Sequence, residues 1–584
     1  MIRSALDTLA EYYRHELTYL RSSGEDFARH FPKIARRLDL SHEESSDPHV
    51  ERLIESVAFL TGKLQKQIDD QYPEIANALL GVMYKPLALP TPSSVMVNFD
   101  IDISRAIKNA GMVVPRHTIL RATSRDGTVC SFRTAHDLKI WPIELKHAEI
   151  VAKEHLNHYS VKASTFLKMQ FHCAEEGIAP DKLRFYIMSD ALLRGRIFAG
   201  IFSTEESAIL EHAGVYKNLG KISPVGLEDD EALFVYPSNV LKSFRYLQEY
   251  FAFPDKFYGF DIPINHNLPE NFTLYIPIGE DIQMQVSARD FSMSTVPAAN
   301  LFPKVTEPLR LDYKQVEYLL IPDYRLYTSH EIYMIEKMVE VDPETNNEIF
   351  VPEFYSCNHF SSTSKLDIAW VARRRESMFQ EAMGDDAYIS FVDENFNPQQ
   401  HLDRVFYAYT ICTNRHAAED IPVHGELQVD ISLPVKQIYC VNRPTPQKNA
   451  LKNGAVLWKL ISILSMNSMS FSNHGILKLK EILRLFLDLT NSSLEREINA
   501  ITEMYSHTGV KRISTQTWNG LISGTNIEIH FDDNLYNKGM PLSLVISKFL
   551  SSYTVINTFT DVIVKNRNGT LRKWGTQFGN KKYL

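Results

Sequence analysis

The sequence predicts a multidomain α+β protein. It comprises an N-terminal helical bundle segment (residues 1–92), a β-rich domain (93–300), a second β-rich domain (301–440) and a C-terminal mixed α/β domain (441–584). Three observations carry this expectation. Apolar residues recur at alternating spacings of four and three through the first ninety residues, as on one face of a helix. From about residue 93 to residue 440 the period falls to two, the signature of half-buried strands. Beyond residue 443 helical spacing returns, interleaved with strand-like runs. At 584 residues the chain also exceeds the roughly 250–300 residues at which one core stops growing, so several packed units are expected.

In the first segment Tyr13, Leu17, Leu20, Gly24, Phe27 and Phe31 form one stripe, with Arg14, Glu16, Arg21, Glu25 and Arg29 on the other faces. A loop near residues 40–46 precedes Asp47-Pro48, an N-cap followed by proline at the first helical position. The next helix carries Val50, Leu53, Val57, Leu60, Leu64 and Ile68 at the same spacing. Tyr72-Pro73 opens a third, shorter helix through Ile75, Leu79 and Val82, and Pro86, Pro90 and Pro92 close the segment as a rigid linker. A three-helix unit of this size covers its core only marginally. The long stripes can pair with each other or with helices of a partner, and the spacing alone does not choose.

Strands are expected next, beginning with the alternation Val95, Val97, Phe99, Ile101. Similar runs occupy 130–134, 138–145, 166–172, 183–188, 272–278, 282–288, 316–321, 388–391 and 405–412, with turn signals at Asp126-Gly127 and Gly279-Glu280. This exceeds one sandwich, and a boundary is placed near residues 300–304. Helices are then expected at 456–466 and 476–504, the latter broken by Asn491-Ser492-Ser493. A strand pair at 511–517 and 526–531, a helix at 541–556 and a final strand at 558–564 complete the chain.

Composition narrows the function classes. Hydrophobic residues make up 44% and charged residues 23%, values of a folded globular protein rather than a disordered one. The 27 Tyr and 32 Phe against 24 Gly supply both cores and large interfaces, where aromatics are enriched. A net charge of −9 argues against nucleic-acid binding. The one dense basic run, Arg373-Arg374-Arg375, meets Glu376 at once and reads as a solvated strand end. Cys130, Cys173, Cys357, Cys412 and Cys440 are scattered without a CxxC, as expected of free thiols in a reducing compartment. Asp7 and Glu11 stand where a signal peptide needs an apolar core, and no apolar run is long enough for a membrane helix. A cytoplasmic location is expected.

The motifs of catalysis are missing. There is no Walker A loop and no GxGxxG. Gly520-Leu521-Ile522-Ser523-Gly524 is GxxSG rather than the GxSxG of a nucleophile elbow. His155 with His158, and Cys357 with His359, lack the further ligands a metal requires. Asp229-Asp230 and Asp385-Asp386 read as loop carboxylates facing solvent, although facing carboxylates from separate strands escape sequence inspection. No catalytic residue, cofactor or metal is therefore expected. The aromatic string Tyr246-Leu247-Gln248-Glu249-Tyr250-Phe251-Ala252-Phe253-Pro254-Asp255-Lys256-Phe257 reads as a core segment entering a turn, with Glu249, Asp255 and Lys256 available to pair or cap. A base-stacking platform would want surrounding cations.

That string also carries a resemblance. The chain resembles the TssF (VasA, ImpG) family of type VI secretion baseplate subunits from end to end. The similarity begins with Tyr12-Tyr13-Arg14-His15-Glu16-Leu17-Thr18-Tyr19-Leu20-Arg21, Phe31-Pro32-Lys33-Ile34-Ala35 and Asp47-Pro48-His49-Val50-Glu51-Arg52-Leu53. It continues through Ile68-Asp69-Asp70, Pro73-Glu74-Ile75, Phe132-Arg133-Thr134, Trp141-Pro142 and Leu183-Arg184-Phe185-Tyr186. Asn300-Leu301-Phe302, Cys412-Thr413-Asn414-Arg415 and Trp458-Lys459-Leu460-Ile461-Ser462 complete the series. Met83-Tyr84-Lys85-Pro86 departs from the family's Leu-Tyr-Pro run, and Ile556-Asn557-Thr558-Phe559 only approximates its Asn-Ser-Phe.

The resemblance implies a scaffold of a contractile injection machine, similar to the wedge of a phage baseplate. Two copies would join one TssG, and with TssE and TssK form wedges that close around a VgrG spike. The baseplate would dock at the inner-membrane secretion complex, with no nucleic acid bound and no membrane insertion by this chain. The N-terminal helices would enter a bundle with TssG, which assigns Tyr13, Leu17, Leu20, Phe27, Val50, Leu53, Val57, Leu60 and Leu64 to that interface. The β-rich middle would supply wing-like domains. The alternative, a cytosolic carbohydrate-active enzyme built on the β-rich middle, predicts a pocket with two facing carboxylates of perturbed pKa.

Overall fold

The structure, a computed structural model, describes residues 12–578 except 15, 21–26, 36–47, 72, 103–110, 154–162, 238–241, 280–284, 313, 342–346, 356–367, 378–383 and 394–404. In the C-terminal part the exceptions are 452–453, 465–474, 488–490, 515–518, 533–535, 553, 555–557 and 567–568. The chain divides into two compact units, residues 1–83 with 451–465, and residues 84–450 with 466–584. The main helices are α1 (Pro48–Gln71), α2 (Pro73–Tyr84), α3 (Ala191–Phe202), α4 (Lys242–Ala252), α5 (Gly454–Leu464), α6 (Gly475–Phe486), α7 (Ser492–Asn499) and α8 (Tyr536–Ser551). The mixed α+β class is as the sequence predicts.

The first unit is helical where described. Residues 12–14, 16–20 and 27–30 are helical, and a short turn follows at Pro32–Ala35. Prolines open both α1 and α2, as expected where a missing N–H has no helical partner to lose. The proposed N-cap Asp47 lies outside the described residues.

The second unit is a set of sheets whose described ladders are antiparallel, apart from one parallel pairing near the C-terminus. A six-stranded sheet runs in the order Gln428–Val429, Ile119–Thr123, Val129–Thr134, Thr295–Ala299, Ser94–Ile101, Val435–Cys440. Within it the strand Ser94–Ile101, next to the edge strand, pairs Val97 with Val296 on one side and with Cys440 on the other. The alternating residues Val95, Val97 and Phe99 are fully buried in its core with Leu120, Phe132 and Ile438. A five-stranded sheet, Val215–Lys221, Ser207–His212, Asn271–Ile278, Thr165–Cys173, Ile143–Ala152, lies in the same unit. So does a sheet built on Val405–Thr413 and Glu331–Val341.

Several expectations change. The run 138–145 is two strands, Leu138–Ile140 and Ile143–Ala152, because Trp141-Pro142 interrupts it and proline cannot donate to a ladder. Within 316–321 only Tyr318–Leu319 is strand. Of 282–288, residues up to 284 lie outside the described set and Ala288 starts a single 3-10 turn. The middle region also holds two unforeseen helices, α3 and α4. Asp190 caps α3, accepting hydrogen bonds from Leu192 N (2.9 Å) and Leu193 N (3.0 Å). Residues 476–504 are not one broken helix: α7 ends at Asn499 and a strand begins at Ile501. The short strand pair is a long hairpin, Ile501–Ser514 with Asn519–Phe531. The last expected strand, Phe559–Asn566, is followed by another, Gly569–Phe578. Helix α8 starts before Pro541, and Leu542, Val545, Ile546 and Phe549 are fully buried as it packs on α3, α4 and the strand Phe559–Asn566.

Two buried polar hubs hold the second unit. In the first, Arg184 grips Asp261 with Nε and Nη2, both at 2.8 Å, and also contacts Glu231. The aromatic string lies alongside as α4 and a 3-10 turn, and its charges are consumed internally. Glu249 pairs with fully buried Lys256 and accepts from Leu233 N (3.0 Å), and Asp255 accepts from Arg194 (2.8 Å). In the second hub Asn414 Oδ1 accepts from Ser131 N (2.9 Å) and Asn300 Nδ2 (2.8 Å), tying the two larger cores together. Arg415, at φ 50°, donates to Asp386 (2.8 Å) and to His330 O (3.1 Å). Asp385 and Asp386, expected in a solvated loop, are thus buried in a strand. The Arg373–Arg375 run is a half-solvated strand end, with Arg373 and Arg375 pairing Glu317.

Candidate functional site

Helix α1 is amphipathic in two directions. At about 100° per residue, Leu53, Val57, Leu60 and Leu64 fall within an arc of roughly 60°. Ala58 and Gly62 are buried, and Ile54 and Thr61 half-buried, on a face about 110° away. There the backbone of Tyr12 and Tyr13 crosses so closely that a Cβ on Gly62 would stand 3.1 Å from Tyr13 N. The small residues therefore seat the first helical segment, and the larger apolar stripe stays outside. Leu53 is 67% exposed, Leu60 58% and Leu64 56%, with Val57 also exposed.

Helix α2 repeats this arrangement. Ala76 and Leu80 are fully buried, while Ile75, Leu79 and Val82 stand exposed at spacings of four and three. Trp458 of α5, in the same unit, is also exposed, whereas Leu457 and Leu460 are buried. Covering one such side chain is worth roughly 1.5–3 kcal/mol. The stripes are therefore surfaces suited to apolar helices, and they offer no nucleophile or acid–base pair.

Of the nine residues proposed from sequence, the structure places Leu53, Val57, Leu60 and Leu64 together on one exposed face. Tyr13, Leu17 and Leu20 are half-buried on the first helical segment. Phe27 is exposed, its ring 5.2 Å from that of Phe31. The side chain of Val50 lies outside the described residues. Sequence reasoning placed Ile75, Leu79 and Val82 on a helix without assigning them to the surface. The available signal was the offset set Ala76 and Leu80, which marks a second, inward face.

The chemical candidates fare differently. Ser523 lies mid-strand opposite Val510, on no turn apex. His155, His158, Cys357 and His359 lie outside the described residues, among which no group of three or more His, Cys, Asp or Glu could hold a metal. The buried carboxylates Glu231, Glu249, Asp261 and Asp386 each meet a cation within the core. Burial pushes the thiols of Cys130, Cys412 and Cys440 up to about 12, which leaves them inert. Among the described residues, no helix is long and apolar enough to cross a membrane.

Comparison with known proteins agrees with a structural role. The family described as "Type VI secretion system, TssF" matches residues 5–581. The type VI secretion system component TssF1 of Pseudomonas aeruginosa is 26% identical over 99% of each chain. Among solved structures, a chain of the type VI secretion TssK-TssF-TssG baseplate subcomplex superposes with a TM-score of 0.72 at 19% identity, covering 91% of this chain and 99% of that one. A chain of a type VI secretion baseplate complex gives 0.60 at 17% identity, over 99% and 100% of the two chains. The carbohydrate-active alternative gives way: with the family matched across nearly its whole length, this chain belongs to TssF, a structural, non-enzymatic baseplate family of the type VI secretion system.

Proposed function

We propose that the chain is a load-sharing subunit of the baseplate wedge, joined to TssG through the apolar stripes of its N-terminal unit. The observation that carries this reading is the exposed row Leu53, Val57, Leu60 and Leu64 on a helix already seated through a separate, small-residue face. A helix so arranged has its own packing satisfied and a coiled-coil-like seam to spare. The solved subcomplex of which one chain superposes on this one is made of TssK, TssF and TssG, which supports TssK and TssG as partners here. In this reading two copies serve each TssG, TssE completes the wedge, and wedges surround the VgrG spike in the cytoplasm, beneath the inner-membrane secretion complex.

The test is co-production with TssG followed by native mass spectrometry. A complex with two copies of this chain per TssG is expected, lost in Leu53→Asp while circular dichroism shows the strand-rich remainder folded. A complex untouched by Leu53→Asp, or a chain indifferent to TssG, would sink the proposal.

A further inference from the structure

The long C-terminal hairpin reaches beyond its own sheet. Phe559–Asn566 pairs with the second hairpin strand only from Gly524 onward, where Gly524 faces Phe559. The cross-strand pairs from Val510↔Ser523 through Arg512↔Leu521 to Ser514↔Asn519 continue past that point as a ribbon of two strands. A two-stranded ribbon is marginally stable in water without a third strand or a packed face. Strand alternation sets Val510, Arg512, Leu521 and Ser523 on one face, and Val510 and Leu521 are 66% and 72% exposed. The ribbon's charge is one-sided as well. Residues 504–527 contain no Asp or Glu but include His507, Lys511 and Arg512, in a chain of net charge −9. Lys511 turns inward to Asp561 and to Thr576 Oγ1 (2.8 Å), whereas Arg512 is exposed and meets no carboxylate among the described residues.

We infer that the distal hairpin is a second docking arm, which lays its Val510–Leu521 face on another protein of the assembly. The occupant is defined by complementarity: an apolar patch for Val510 and Leu521, edged by a carboxylate for Arg512. A nucleic acid fits less well, since so few cations supply little counterion release. The inference rests on the chain being an assembly subunit.

The test places a photocrosslinking p-benzoylphenylalanine at position 521 of the full chain within its assembled complex. It also measures entry of Arg512→Glu and Leu521→Thr into that complex, threonine being chosen because it keeps the strand propensity. An adduct is expected on an Asp- or Glu-bearing peptide of another protein subunit. Arg512→Glu should bind at least tenfold more weakly and be rescued by reversing the partner's acid to lysine. No adduct, an adduct on nucleic acid or lipid, or both variants entering with wild-type affinity would each overturn the inference. If the wild-type chain entered no complex at all, the assembly reading itself would fall, and this arm with it. Loss of the arm alone would leave the Leu53-dependent complex with TssG intact.

Discussion

Single residues in the second unit show how it tolerates buried charge, and His136 is one whose protonation couples to folding. It is 3% exposed, with Nε2 3.0 Å from Tyr186 Oη and Nδ1 2.8 Å from the carbonyl oxygen of Asp137. Burial pushes it down to about 4, Arg184 and Lys256 push the same way, and the Asp137 carbonyl and Glu231 oppose them. An unfolded histidine takes its proton near 6.5. Between those values the unfolded chain binds a proton that the folded one refuses, so stability falls as pH drops from about 6.5 towards 4. The loss is on the order of 3 kcal/mol. Glu231 acts in a separate window. Burial would raise its carboxyl, but Arg184, His136 and Lys256 outweigh this and hold it down to about 2, so its contribution fades only as pH falls below about 4.5. The urea midpoint of the second unit should therefore decline from pH 6.5 to pH 4 and then more steeply below. His136→Gln should flatten the upper part and, because His136 helps hold Glu231 down, soften the lower part as well while Arg184 and Lys256 preserve most of it; an unchanged upper slope would assign it to other groups.

At the scale of elements, Gly524 explains what the GxxSG run is for. A Cβ there would sit 2.3 Å from Phe559 O, where the parallel ladder begins. Gly524→Ala should therefore force the two strands apart and lower stability by about 1–3 kcal/mol. An unchanged thermal midpoint would mean that the ladder yields at no cost. The same contrast between pattern and packing decides which elements the sequence reveals. The stripes of α1 and α2 were legible because large apolar residues repeat at helical spacing. The inward face of α1 was not, because Ala58 and Gly62 carry almost no hydrophobic signal. Helix α3 was hidden for the opposite reason: Ile197, Phe198, Ala199, Ile201 and Phe202 are all buried, so no polar face marks a period. Individual strands such as Thr165–Cys173 and Val405–Thr413 could be read from alternation, but their neighbours could not. Ser94–Ile101 lies between strands that start at Thr295 and Val435, pairings that no local pattern encodes. The aromatic string was read correctly as core, and only its charges, Glu249 with Lys256 and Asp255 with Arg194, needed coordinates to find their partners.

For the whole molecule the two units divide the labour. The second pairs charges within its core, as at Arg184 with Asp261 and Arg415 with Asp386, whereas the first presents apolar rows on α1 and α2 to the exterior. Exposed apolar surface of this kind drives association when the proper partner is absent. The net charge of −9 opposes that association through long-range repulsion, which salt screens within about 10 Å at 0.1 M. These two forces predict opposite responses to sulfate only if charge attraction holds the aggregates together. If apolar contact does, sulfate strengthens it while also removing the repulsion. Sedimentation equilibrium of the lone chain should therefore show mass rising with concentration, and rising further in sulfate. Replacing Leu60 and Leu64 by serine should return it towards a monomer at every salt, with unchanged far-UV circular dichroism. A wild-type chain that stays monomeric throughout, or one whose association dissolves in salt, would mean that the stripes of the first unit do not govern assembly.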